Sequence, residues 1–312
     1  MKVLNFGSLN VDHVYGVEHI VRPGETLATS SYNRFPGGKG ANQSVALARA
    51  GAEVLHAGMV GSDSVWLRER LLSEGVGVEQ VLVSDGPGGH AVIQVDRHGQ
   101  NSIFLFGGAN LAITEEHIAS ALDACVPGDF LLLQNEINVT EELIRAGVDA
   151  GLRVCFNPAP MTPDVCSFVL DGLALLIVNE HEGAALSGEG EPDGILEALR
   201  ARYPDTAVCL TLGARGARYR DGEIDLQCPA YPGDPVDTTA AGDCFIGFLL
   251  AGLAADEPVE NALKRASQAA ALSVTRPGAM DAMPTLGEIS RLPYPAEPRI
   301  ACPLSPGGRS SR

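Results

Sequence analysis

Lysine is nearly missing from this chain: Lys2, Lys39 and Lys264 are the only three in 312 residues. Basic residues of both kinds number 22 against 39 Asp and Glu, a formal net charge of −17, so the long-range field repels nucleic acid and anionic membrane surfaces. Any phosphate ligand must therefore be held by local groups. No apolar run reaches the ~18 residues of a membrane span, and no N-terminal stretch has the regions of a signal peptide. There is no C-x-x-C pair. The seven cysteines, at positions 125, 155, 166, 209, 228, 244 and 302, lie mostly in apolar runs, as buried thiols of a reducing compartment do. A cytoplasmic protein without nucleic-acid or membrane partners is expected. The histidines lack metal-ligand spacing. Phosphate motifs are missing too: there is no G-x-x-x-x-G-K-[ST], which argues against a P-loop. Gly86-Pro87-Gly88-Gly89-His90-Ala91 approaches a dinucleotide fingerprint but leads into a strand.

What is present is enough for a large core, since 45% of the residues are hydrophobic. Lys2 to Gly7 reads as a buried strand that breaks into a polar loop at Ser8-Leu9-Asn10-Val11-Asp12. Residues 13–36, punctuated by Pro23-Gly24 and Pro36-Gly37, suggest short strands outside the main sheet. A helix over Gly40 to Ala50, a strand over Glu53 to Val60 and an amphipathic helix over Asp63 to Glu74 follow. His90 to Asp96 and Ser102 to Phe106 flank Arg97-His98-Gly99-Gln100 as a hairpin. From Thr114 helices and strands alternate: 114–124, Phe130 to Gln134, 140–150, Leu152 to Phe156, Leu173 to Val178, 193–202 and Thr206 to Leu212. That pattern implies an α/β core with a mostly parallel sheet covered on both faces. Short strands near 217–228 precede helices at 243–254 and 258–275, and Pro293 to Arg312 has no apolar period and reads as a mobile tail.

Chemistry concentrates at Asp237-Thr238-Thr239-Ala240-Ala241-Gly242-Asp243, a small-residue turn running into the apolar segment that starts at Cys244. Amides at the start of a buried helix can hold an anion. A carboxylate beside that anion makes sense where it takes a proton from an attacking nucleophile. Read alone, the stretch fits equally a capped core helix with an Asp for the dipole. Pro36 to Asn42 opens another helix, with glycines that let backbone approach a ligand and donors at Lys39 and Asn42. It is otherwise a flexible turn with a stray lysine. Asn10, Asp12 and Glu136 stand at strand ends, where polyol hydroxyls could meet acceptors.

Gly7 to Asp12, Gly37 to Asn42, Asn157-Pro158-Ala159-Pro160, Asn179-Glu180-His181-Glu182, Thr211 to Gly216 and Asp237 to Asp243 stand in the order and spacing of the ribokinase family of sugar kinases. The resemblance, to the phosphofructokinase B type, covers about residues 1–290. It implies a three-layer α/β/α kinase domain over 1–290, a small β lid from about 12–36 and 88–108, and a tail at 291–312. Asp243 matches the general base, and the amides of Ala240, Ala241 and Gly242 match the anion hole. Asn10, Asp12, Gly38, Lys39, Asn42 and Glu136, with Asp243, match sugar-binding positions. Asn179, Thr211, Gly213 and Gly216 match ATP-binding positions, and Glu182 an acidic residue that orders Mg²⁺ through water. Asp237, Thr239 and Gly278 match a monovalent-cation shoulder, K⁺ in relatives, but its Ser position is Ala282 here. Ala240 stands where the broader family usually has Gly, a form common among the ribose-specific members. The activity implied is ATP-dependent phosphorylation of a free sugar's primary hydroxyl, D-ribose foremost, by a homodimer joined through the lid. Alternatives are a kinase of fructose, a keto-deoxy sugar acid or a nucleoside, or a silent sugar-binding regulator.

Overall fold

A computed structural model describes residues 1–292, so the tail expected over 293–312 lies outside the described residues. The first half of the chain runs β1 (Val3–Phe6), β2 (Asn10–Gly16), β3 (Ser31–Gly37), α1 (Lys39–Arg49), β4 (Val54–Gly61), α2 (Trp66–Ser73), β5 (Gly77–Ser84), β6 (Gly89–Val95) and β7 (Asn101–Phe106). There follow α3 (Glu115–Leu122), β8 (Phe130–Gln134), α4 (Thr140–Asp149), β9 (Arg153–Asn157), β10 (Leu175–Asn179), α5 (Glu180–Ser187) and α6 (Pro192–Arg202). The chain closes with β11 (Ala207–Thr211), β12 (Ala217–Arg220), β13 (Asp225–Cys228), α7 (Ala241–Ala254), α8 (Val259–Ser273) and α9 (Leu286–Ile289).

Nine strands form the main sheet in the order β13-β12-β11-β10-β9-β8-β1-β4-β5. All neighbours from β11 to β5 pair in parallel, while β12 and β13 join the β11 edge antiparallel. Parallel strands are covered on both faces, which is why β8 reads Phe-Leu-Leu-Leu-Gln and is buried throughout. One apolar core packs α1, α2, α7 and α8 on one face; a second packs α3, α4, α5 and α6 on the other. The strand order reverses between β1 and β8, and such a switch point leaves a crevice beyond the carboxyl ends of the strands.

A second sheet, β3-β2-β6-β7, stands apart from the first. The hairpin forms as expected, with Asp96 accepting from the His98 amide at 2.8 Å and the Gln100 amide at 2.9 Å. The glycine-rich run at 86–89 does lead into a strand, β6. Three elements escape the sequence reading. β5 is an edge strand with isolated buried residues at Val78 and Val81, α5 buries Glu182, Gly183 and Leu186 rather than an apolar stripe, and α9 is a single turn. Asn10 and Asp12, expected in a loop, lie instead at the start of β2: the loop is only Gly7 to Leu9, after which the chain pairs at once with Gly37 and Gly89. Among the described residues no helix is long and apolar enough to cross a membrane.

Candidate active site

α7 is apolar on nearly every side because it is packed between α1, α8 and the sheet. Gly247 permits the close approach to α1, where a Cβ would come within 2.9 Å of the Leu47 amide nitrogen. That crossing sets the first turn of α7 against the first turn of α1. Asn42 Nδ2 donates to Asp243 Oδ2 at 3.0 Å, and Gln43 Nε2 donates to Asp243 Oδ1 at 2.9 Å. The Asp243 carboxylate is buried and held by both its oxygens. Asn42 Oδ1 is buried without a hydrogen-bond partner among the described residues.

Ahead of α7, Ala240 adopts the left-handed conformation at φ 57° and ψ 16°. A non-glycine residue in that region costs about 1–2 kcal/mol. The turn leaves the amides of Ala240 and Gly242 without acceptors among the described residues, while the Ala241 amide donates to Thr238 O at 3.3 Å. Free amides at a helix start favour an anion.

At the switch point, Gly38 takes φ +91° to start α1, and a Cβ there would come within 2.9 Å of both the Asn10 amide nitrogen and Ser8 O. The Lys39 amide donates to Glu136 Oε2 at 3.0 Å, and the Ser8 hydroxyl donates to the same oxygen. The Asp243 charge, with Glu136 and Glu182 adding to it, raises the pKa of the Lys39 ammonium against the effect of burial. Burial raises Glu136, only partly offset by its bonds from Ser8 and Lys39. Asp12 is pushed up to about 7, first by burial and then by the Glu136 charge. Asn10 is buried, and its Oδ1 accepts from Asn110 Nδ2 at 2.8 Å.

The nucleotide-motif residues sit one strand pair further along. Asn179 and Thr211 are register partners at the ends of β10 and β11. Asn179 caps α5 reciprocally: its Oδ1 accepts from the Glu182 amide at 2.9 Å, while its own amide and Nδ2 donate to Glu182 Oε2 at 2.9 Å and Oε1 at 2.8 Å. Glu182 is buried, and burial raises its pKa against that cap. Gly213 and Gly216 take φ 56° and 91° in the turn after β11, and a Cβ on Gly216 would collide with the backbone at Cys228.

A third group lies before α7. Burial of Asp237 works to raise its pKa, but the Thr239 hydroxyl at 2.6 Å and the amides of Gly278 at 2.8 Å and Thr239 at 2.9 Å hold the carboxylate below its usual range. Ala282 is buried and offers no hydroxyl. Among the described residues no three His, Cys, Asp or Glu side chains converge to ligate a metal ion.

The structure therefore brings Asp12, Lys39, Asn42, Glu136, Glu182 and Asp243 into electrostatic or direct contact, and sets Asp237 with Thr239 and Gly278 at one shoulder. The sequence reading passed over Gln43, Asn110 and Gln134 and gave Ser8 and Asn157 as motif members without a role, all buried polar residues of this neighbourhood. Only the position of Gln43, directly after Asn42 in a helix's first turn, offered a signal.

A model of the "pfkB family carbohydrate kinase" matches residues 1–286. The chain belongs to that family. Ribokinase of Bacillus subtilis (strain 168) is 36% identical over 293 residues, which cover 92% of this chain and 97% of that protein. The bifunctional ribokinase/ribose-5-phosphate isomerase A of Fructilactobacillus sanfranciscensis is 34% identical over 295 residues, and the chain spans only 54% of its length. The structure of Arabidopsis thaliana ribokinase complexed with ribose and ATP superposes with a TM-score of 0.83 at 29% identity, covering 93% of this chain and 97% of that one. This chain is accordingly a sugar kinase of the pfkB family with the mixed α/β architecture and second small sheet of ribokinase structures.

Proposed function

We propose that the protein transfers the γ-phosphoryl group of ATP to the primary hydroxyl of D-ribose, forming ribose 5-phosphate and ADP. One observation carries the reading: the buried Asp243 carboxylate is fixed by Asn42 and Gln43 at the first turn of α7, next to amides that lack acceptors. The names of the relatives support the choice of ribose and ATP. Asn10, Asp12, Gly38, Lys39, Asn42 and Glu136 receive the sugar. Asn42 holds Asp243 through its nitrogen and has Oδ1 available for a hydroxyl. As O5 attacks the γ phosphorus, the bond to the β–γ bridging oxygen breaks and the hydroxyl proton passes to Asp243. The amides of Ala240, Ala241 and Gly242 face the charge on the transferring group, and Lys39 offsets the surrounding carboxylates. Asn179, Thr211, Gly213 and Gly216 hold the nucleotide.

Glu136, Glu182 and Asp243 surround a single lysine, so a polyphosphate is admitted only with a divalent cation. Mg²⁺ suits this role and neutralises phosphate charge when bound. Glu182 fits a hold through water, because both of its oxygens already accept from Asn179. The shoulder of Asp237, Thr239 and Gly278 would take K⁺ with one ligand fewer, Ala282 having no hydroxyl. The small sheet, with flanking residues 12–36 and 88–108, serves as lid to a kinase domain over 1–290. Two such lids join a homodimer: Asp12, Phe35 and Ala91 stand in one row, Ala91 faces Leu105, and Ile93 faces Ile103, so Phe35, Leu105 and Ile103 share a face at 42%, 52% and 55% exposure. The unbridged thiols of Cys155, Cys209 and Cys244, and ATP as the phosphoryl donor, support a cytoplasmic reaction.

A coupled assay for ADP release across ribose, fructose, a keto-deoxy sugar acid and nucleosides tests the substrate, with ribose expected to give the highest kcat/KM. No turnover on any of them would leave a silent binding protein. Asp243→Asn should keep fold and ribose binding while kcat falls by roughly 10² or more; near-normal turnover removes Asp243 from its role.

A further inference from the structure

Asp243 accepts two side-chain hydrogen bonds, and one donor belongs to no binding motif of the chain. Gln43 follows Asn42 on α1 and is wholly buried. We propose that Gln43 is a positioning residue for phosphoryl transfer: its amide, locked in one orientation by Gln134, aims the Asp243 carboxylate and couples it to the Asn157–Glu182 pair at the nucleotide end. The inference rests on Asp243 being the base.

An amide has a donor end and an acceptor end, whereas a carboxylate only accepts. Gln134 Nε2 donates to Gln43 Oε1 at 2.7 Å. Turning the Gln43 amide over would set its NH₂ against that of Gln134 and its oxygen against the carboxylate. The donor end is thereby kept on Asp243. Gln134 is itself anchored, since the same Nε2 donates to Asn5 Oδ1 at 2.9 Å, and Asn5 Nδ2 donates to Gly40 O at 2.7 Å and to Ser44 Oγ at 2.8 Å. A Cβ on Gly7 would collide with Gln134 Oε1, so the glycine at the end of β1 leaves room for the lock.

The second hydrogen of Gln43 Nε2 points to Asn157 Oδ1 at 3.4 Å. Asn157 Nδ2 in turn donates to Ile177 O at 3.1 Å and to Glu182 Oε2 at 3.5 Å. One side-chain amide thus spans the sugar end and the nucleotide end of the site. A base held this way loses no reach to carboxylate rotation at the moment of attack.

The test compares kcat and its pH profile in Gln43→Met, which keeps length and loses the donor. Expected are a fall in kcat of about 10- to 100-fold, the scale of a hydrogen bond to a charged group, and a KM for ribose within about threefold of the parent. The acid limb of the kcat profile moves to higher pH, because the ionised carboxylate has lost a donor. Lys39, Glu136, Glu182 and the Cys244 thiol also face Asp243 and are unchanged in the comparison. Gln134→Met, which frees the Gln43 amide without touching Asp243, moves kcat and the limb in the same direction by less, and carries the test where Gln43→Met does not fold. Unchanged kcat in these variants, or a fall in kcat with the acid limb in place, overturns the proposal. Asp243→Asn separates the two levels: activity retained there removes the base itself, while activity lost there with both glutamine variants normal removes only the positioning role.

Discussion

Single residues of this site hold more than one duty, and their protonation is set by burial and by neighbours distant in sequence. Asp12 is the clearest case. Its carboxyl is raised from 3.8 to about 7 by burial and then by Glu136. A carboxyl with a raised folded pKa binds its proton more tightly when folded, so the stability it contributes is present below pH ~4 and is lost as pH rises through about 7. Ionised Asp12 accepts hydrogen bonds from sugar hydroxyls, so kcat/KM for ribose should climb through an apparent pKa near 7, reporting the free enzyme. Asp12→Asn should abolish that limb and gain stability over the parent between pH 5 and 8. A limb near 7 that survives in Asp12→Asn assigns it to another group. Asp12, Asn10, Lys39 and Asn42 could be picked out because each stands in a short motif. Gln43 and Gln134 could not, because their roles depend on partners about 90 to 200 residues away.

At the scale of elements, helix starts do most of the work. α1, α5 and α7 all begin at the carboxyl ends of strands or beside them, which turns their free amides toward the crevice. α5 joins stability to the site, because its capping box ends in Glu182. The same box occurs at α9, where the Thr285 side chain accepts from the Glu288 amide and Glu288 accepts from the Thr285 amide. Asn179→Ala and Thr285→Ala should each destabilise the fold by about 0.5–2 kcal/mol in denaturant titration. Only Asn179→Ala should raise the KM for ATP, by several-fold, in initial-rate kinetics; equal effects on KM from both would detach the α5 cap from nucleotide binding. α5 was legible as a motif, Asn179 to Glu182, and illegible as a helix. Its buried face is Glu182, Gly183 and Leu186, which makes no apolar stripe, and the cap carries the information instead.

For the whole molecule, the acidic surface and the apolar small sheet work in opposite directions. A net charge of −17 keeps copies apart, whereas Phe35, Ile103 and Leu105 expose apolar area on one sheet face. If that face joins a homodimer, Ile103→Lys with Leu105→Glu should yield monomers in sedimentation velocity, and salt should strengthen the parent dimer by screening. A parent that sediments as a monomer at micromolar concentration would set the dimer aside. What the sequence determined by itself is the local part: most strands and helices, the small-residue turns that start α1 and α7, and the order of the motifs that resemble the family. These follow from periodicity and turn chemistry, which act over a few residues. The tertiary structure alone decided the sheet order with its switch point between β1 and β8. It also decided the α1–α7 contact through Gly247 and the amide network that reaches Asp243. Those arrangements arise when buried polar groups from distant segments must satisfy one another inside a close-packed core, a condition no single stretch of chain can express.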